Sequence, residues 1–101
     1  DALPILEKEI INIIELFNKG NFDEVIKRAK DLQKTNKKIA IFSNLIGASL
    51  AATNKHLEAI NYYKQASELE PTNTEIINNI GKSQYFFLFR ININNSLNRF
   101  I

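Results

Sequence analysis

Residues 44–71 read NLIGASLAATNKHLEAINYYKQASELEP, and this stretch decides the fold. Its first half belongs to a helix expected over about Ile39–Thr53, with Ile41, Phe42, Leu45, Ile46, Ala48, Leu50, Ala51 and Ala52 around most of its circumference. A helix apolar on so many sides is one buried between two neighbours. Asn54 and Lys55 make a polar turn. The second half spaces Leu57, Ala59, Ile60, Tyr63 and Ala66 at helical intervals over about His56–Leu69. Pro71 ends it, because a proline pushes the residue before it out of the helical region. The stretch is therefore a helical hairpin with a neighbour expected on either side.

Outward from this hairpin, both flanks carry the same periodicity. Leu3, Leu6, Ile10, Ile13 and Phe17 line one face of a first helix over Leu3–Asn18, with Pro4 in its opening turn and Gly20 at its end. A second helix follows Asn21, which stands in a capping-box relation to Glu24. Its apolar face is Phe22, Val25, Ile26, Ala29 and Leu32. Beyond Pro71, the oxygens of Thr72, Asn73 and Thr74 are available to cap a fifth helix over Glu75 to about Phe87, in which Ile76, Ile77, Ile80 and Gln84 keep the register. Phe87, Phe89, Ile91 and Ile93 alternate like a strand, but a lone strand has no partner in a helical chain. An irregular connection is expected there, followed by a short helix that starts at Asn94 or Asn95 and carries Leu97, Phe100 and Ile101.

The flanks are also copies of the centre. Shifted by 34 residues, Asn44 falls on Asn78, Ile46 on Ile80 and Gly47 on Gly81. In the other direction Leu50 falls on Leu16, His56 on Phe22, Glu58 on Glu24, Ile60 on Ile26 and Lys64 on Lys30. The turn Gly20-Asn21 falls on Asn54-Lys55. A helix–turn–helix period of 34 residues resembles the tetratricopeptide repeat. In the central copy, residues 40–73, Ile46-Gly47, Leu50, Ala59, Tyr63, Ala66 and Pro71 stand at that family's Leu-Gly, large, small, aromatic, small and proline positions. Ser43 departs from its tryptophan. The first copy, about 5–38, has Ile13 for the glycine, Val25 and Leu32 for the two alanines, and Lys37 for the proline. The third, 74–101, begins with NNIGKS and is incomplete. Ser96, Leu97 and Phe100 look like the small, Ile and aromatic positions displaced by three, since Gly81 to Ser96 is 15 residues against 12 from Gly47 to Ala59. A three-residue insertion within residues 85–92 is expected. The fold expected is all-α: an α-solenoid of about three helix-turn-helix pairs in one domain, the last pair irregular.

Composition narrows the chemistry. The chain has 101 residues, 45% of them apolar, with a net charge of +2, one histidine and no cysteine. With one histidine and no cysteine no zinc site is expected, and no disulfide framework is possible. No apolar run is long enough to span a membrane, the longest being Tyr85–Phe89. No basic-then-apolar leader pattern opens the sequence. The sequence holds no methionine, so a processed product or a segment of a longer chain is expected. A chain without cysteine suits a reducing compartment, and the expected location is cytoplasmic.

Nothing in the chain has the spacing of a phosphate loop or a nucleophile–base pair, so no catalytic residue, cofactor or metal is expected. The carboxylates Glu7, Glu9 and Glu15, and Asp23 with Glu24, read as solvated or dipole-directed charges. His56 holds a core position of the repeat. Lys27, Arg28, Lys30, Lys34, Lys37 and Lys38 read as a solvated face, since no aromatic residues interleave with them to stack bases; a nucleic-acid partner is the weakest expectation.

The resemblance implies a concave surface lined by the first helix of each pair. Carried over residue by residue, it comprises Ile10, Ile14 and Phe17, then Asn44, Ala48 and Ala51, then Asn78, Asn79, Lys82 and Tyr85. That groove is apolar at one end and rich in amides at the other, and amides offer both donors and acceptors to a peptide backbone. The Lys and Asn pattern with which some family members clamp a terminal carboxylate is absent from copies one and two. The function implied is a non-catalytic scaffold for a peptide or protein partner, or for another domain of a longer chain. The alternative is a repeat module of a larger glycosyltransferase or sulfotransferase. Phe86, Phe87, Leu88, Phe89 and Ile93 form a second expected surface at the C-terminal end, for contact with the following part of a longer chain, for self-association, or for domain swapping of the last helix.

Overall fold

A computed structural model describes residues 2–99, with side chains from residue 4 onward. Five α-helices follow one another: α1 (Ala2–Asn18), α2 (Phe22–Thr35), α3 (Ala40–Ala52), α4 (His56–Leu69) and α5 (Thr74–Asn98). Each helix packs chiefly on its neighbours in sequence, and α3 also touches α1 and α5 across one face. The result is an elongated, all-α repeat arrangement of 62 × 28 × 19 Å.

The turns show the 34-residue period in their hydrogen bonds. After α1, Gly20 adopts φ +81°, its N–H donates to Phe17, and the Asn21 N–H reaches back to Leu16 over 2.9 Å. After α3, Asn54 adopts φ +67°, its N–H donates to Ala51, and the Lys55 N–H reaches Leu50 over 2.8 Å. Both are the paired-bond helix ending that needs one left-handed residue. Glycine takes that conformation freely, and asparagine tolerates it.

One further period on stands Leu88, and there the expectation fails. A leucine in the left-handed region costs about 1–2 kcal/mol, so no turn forms and α5 continues through residues 86–95 to Asn98. The irregular connection and the separate final helix expected there do not exist among the described residues. The three-residue displacement of Ser96 and Leu97 is therefore not an insertion between two helices. Phe100 and Ile101, assigned to that final helix, lie outside the described residues, as does the Leu3 side chain expected in the core.

The core follows the pattern closely elsewhere. Phe42, Ile46, Ala59, Ala66, Val25 and Ala29 are fully buried, with Ile13, Ile76 and Tyr63 nearly so. Gly47 explains how α3 and α4 come so close: a Cβ there would stand 2.7 Å from Cδ1 and Cε1 of Tyr63. In the first hairpin the sizes are exchanged. Ile13 replaces Gly47 and Ala29 replaces Tyr63, so the large side chain comes from the first helix instead of the second. Gln33 of α2 donates to the buried Ser43 hydroxyl of α3, stitching the two repeats together.

Three expectations need correction. Ile77, placed with Ile76 and Ile80 in the apolar register of α5, is 49% exposed, since it lies one residue round the helix from the buried Ile76. Leu57, assigned to the buried face of α4, is 57% exposed; it sits in the first turn, beyond the reach of α3. Asn21 precedes α2 but makes no side-chain capping bond. The amide that does cap is Asn73, whose Oδ1 accepts from the Glu75 and Ile76 N–H groups at 3.0 and 3.4 Å.

Candidate functional site

The first helices α1, α3 and α5 lie side by side and form one face. On it opens a groove of about 380 Å³ lined by Ile14, Ile41, Asn44, Leu45, Glu70 and Glu75, with Ala40, Asn73 and Ile76 at its edges. Its floor is apolar because Ile14, Ile41 and Leu45 project from the helix faces left over once Ile13, Phe42 and Ile46 have turned inward. Asn44 is half-buried, and its Oδ1 accepts from Nδ2 of Asn79 at 3.2 Å, which ties α3 to α5 across the groove. Two carboxylates, Glu70 and Glu75, stand on one rim, and Glu70 also accepts from Asn73 at 3.0 Å.

The residues expected on this face divide into three groups. Ile14, Asn44 and Asn79 take part in the groove or its bridge. Ile10, Phe17, Ala48 and Ala51 are half-buried against the core, as Ile41 and Leu45 also are, but they do not line this groove; Phe17 packs edge-on against Phe22 of α2, centroids 5.3 Å apart. Asn78, Lys82 and Tyr85 are exposed farther along α5. Sequence reading missed Ile41, Leu45, Glu70 and Glu75 as groove residues. The 34-residue shift carries a signal for one of them, since Glu75 falls on Ile41. It was obscured because Ile41 and Leu45 look like core and the glutamates look like ordinary helix-end charges.

The second expected surface is split as well. Phe87 is half-buried, and Phe86 stacks on His56 with centroids 5.3 Å apart. His56 Nδ1 also lies 3.3 Å from the hydroxyl of the buried Ser83, so the lone histidine joins α4 to α5. Phe89 and Ile93 remain open to solvent, and Tyr85 stacks on Phe89 at 6.1 Å.

The basic cluster on α2 is partly engaged within the protein. Arg28 Nε donates to Glu24 over 2.8 Å and holds that carboxyl below the usual range. Lys34 lies 3.5 Å from Asp31, and Lys30 sits over the Tyr62 ring at 5.7 Å. Among the described residues no group of three or more His, Asp or Glu side chains is placed to hold a metal ion, and no helix is long and apolar enough to cross a membrane. Compared with protein-family models and with curated proteins, the sequence matches none.

Proposed function

We propose that this chain is a scaffold of the tetratricopeptide type that binds an extended peptide in the groove between α1, α3 and α5. The observation that carries the reading is the groove's composition: an apolar floor of Ile14, Ile41 and Leu45, an amide at Asn44, and carboxylates at Glu70 and Glu75 on one rim. An apolar peptide side chain finds a desolvated seat there. A neighbouring lysine or arginine of the peptide meets Glu70 and Glu75, which steer and orient it. The side chain of Asn44 offers a hydrogen bond to the peptide backbone. The role is non-catalytic: binding positions the partner, and no bond is made or broken.

The test is selection from a displayed library of random peptides against the full chain. Peptides pairing an apolar residue with a nearby Lys or Arg are expected to be enriched. Replacing both carboxylates, Glu70→Gln with Glu75→Gln, is expected to weaken them about tenfold or more, which is 1.4 kcal/mol or more, with helix content unchanged by circular dichroism. Enriched peptides that bind the double variant and an Ile14→Asp variant as tightly as the parent chain would sink this reading, and so would a selection that enriches nothing.

A further inference from the structure

The charges of this chain are unevenly placed. Every acidic residue lies at or before Glu75, and after it come only Lys82, Arg90 and Arg99. Lys82 stands between Gly81 and Ser83, with no large apolar residue next to it in sequence. Arg90 lies in the middle of α5 and donates to the Asn54 carbonyl in the α3–α4 turn at 3.2 Å. Arg99 closes the helix and is exposed. Residues 97–101 read LNRFI, so this cation has large apolar residues on both sides, and its nearest carboxylate in sequence is Glu75.

That segment has the chemistry complementary to the groove between α1, α3 and α5. The groove has an apolar floor of Ile14, Ile41 and Leu45, carboxylates at Glu70 and Glu75, and no basic side chain among the described residues that line it. Carboxylates without a cation attract one, and a guanidinium presents several N–H donors in a planar fork that matches carboxylate oxygens. Before Glu75 the basic residues lack this combination. Lys8 lies between Glu7 and Glu9, and Lys55 with the exposed Leu57 is followed by Glu58, which the acidic rim would repel. Arg28 and Lys34 are engaged by Glu24 and Asp31. Lys37 and Lys38 precede Ile39, but that side chain is packed against the core. Arg99 differs also in standing at a helix end, where the chain can be offered in extended form.

We propose that the groove takes residues 97–101 of a second copy of this chain, with Arg99 of that copy facing Glu70 and Glu75 and its apolar neighbours on Ile14, Ile41 and Leu45. This rests on the reading of the groove as a peptide site and names its ligand. Length requires the second copy. α5 is one continuous helix whose first turn lines the groove. At 1.5 Å per residue it carries Arg99 roughly 36 Å from Glu75 of the same chain, beyond the reach of any side chain. The last turn of α5 is exposed, so it has little packing to lose and unwinds at small cost to lie extended in the groove. Each copy offers one groove and one tail on different surfaces, so the contact is heterologous and links copies head to tail.

Two variants divide the contact. Arg99→Glu keeps the groove and spoils the tail, while Glu70→Lys with Glu75→Lys keeps the tail and spoils the groove. In sedimentation velocity the parent chain is expected to grow in size with concentration, and each variant alone to stay monomeric. An equimolar mixture of the two should form 1:1 pairs and nothing larger, because one intact tail meets one intact groove. A labelled peptide with the sequence of residues 96–101, SLNRFI, should bind the parent chain and the Arg99→Glu chain. The groove variant should bind it more than about tenfold more weakly, with helix content unchanged by circular dichroism, and a peptide carrying Glu in place of Arg should lose as much on the parent chain. Mixed variants still monomeric near ~1 mM would overturn the proposal, and so would a peptide that binds the parent chain and the groove variant alike. If peptides selected from a random library bind the groove while SLNRFI does not, the tail is not its ligand and the peptide site stands; if neither binds, both fall.

Discussion

Residues 47–55, GASLAATNK, and residues 81–89, GKSQYFFLF, occupy the same positions one period apart and end in opposite ways. Both open on a glycine and bury the serine two residues later. The first stretch then turns at Asn54 and sends α4 back over Gly47, where Tyr63 covers the glycine. The second meets Leu88, cannot turn, and runs on as a rod that leaves Gly81 bare. One residue's tolerance of the left-handed conformation thus separates a closed hairpin from an open ridge. Beyond Phe87, the apolar side chains that a returning helix would cover stand exposed.

The contrast can be broken most forcefully at the ring that closes the hairpin. Burial pushes the Tyr63 hydroxyl up to about 12. An unfolded tyrosine ionises near pH 10, so between these values the unfolded chain has lost the proton that the folded chain keeps. The stabilisation is complete below about pH 10 and is lost as pH rises through the folded value, a difference of roughly 2–3 kcal/mol. Denaturant melts across that interval should show this loss in the parent chain and not in Tyr63→Phe.

Gly47→Ala comes next. Its methyl group would press on a buried ring, and overpacking of this kind costs about 1–3 kcal/mol, readable as a lower urea midpoint. Asn54→Leu copies the third repeat's residue into the second. It should cost about 1–2 kcal/mol through the left-handed backbone, while Asn54→Gly should leave the midpoint nearly unchanged. The smallest effect has the opposite sign. Gly81→Ala should raise stability by roughly 0.5–1 kcal/mol, because a helix-interior glycine with empty space beside it gains from a methyl group. If both glycine substitutions shifted stability in the same direction, the two sites would not differ as described.

Much of the fold was legible because its signals were local. Gly20, Asn54 and Pro71 mark helix ends by their own backbone chemistry, and His56–Leu69 was bounded without error. The apolar spacing of Val25, Ala29, Ile46 and Ala59 identified the core. The path after Phe87 was not legible, since alternation of Phe87, Phe89, Ile91 and Ile93 imitates a strand. The decisive fact was a negative one: Leu88 cannot do what Asn54 does. The groove was read only in part. Ile14 and Asn44 were found by position, but whether an isoleucine such as Ile41 faces a neighbour or an opening depends on how helices two apart in sequence are spaced. No local pattern encodes that spacing.

The neighbour-to-neighbour packing has a consequence for how the molecule comes apart. Nearly all of its contacts join segments close in sequence, an arrangement that folds quickly because little chain must be looped before contacts form. Unfolding in such a linear stack proceeds from the ends, unit by unit. α3, enclosed by α2 and α4, should therefore hold its amide protons longest. The last turns of α5 should exchange theirs almost as fast as a free peptide.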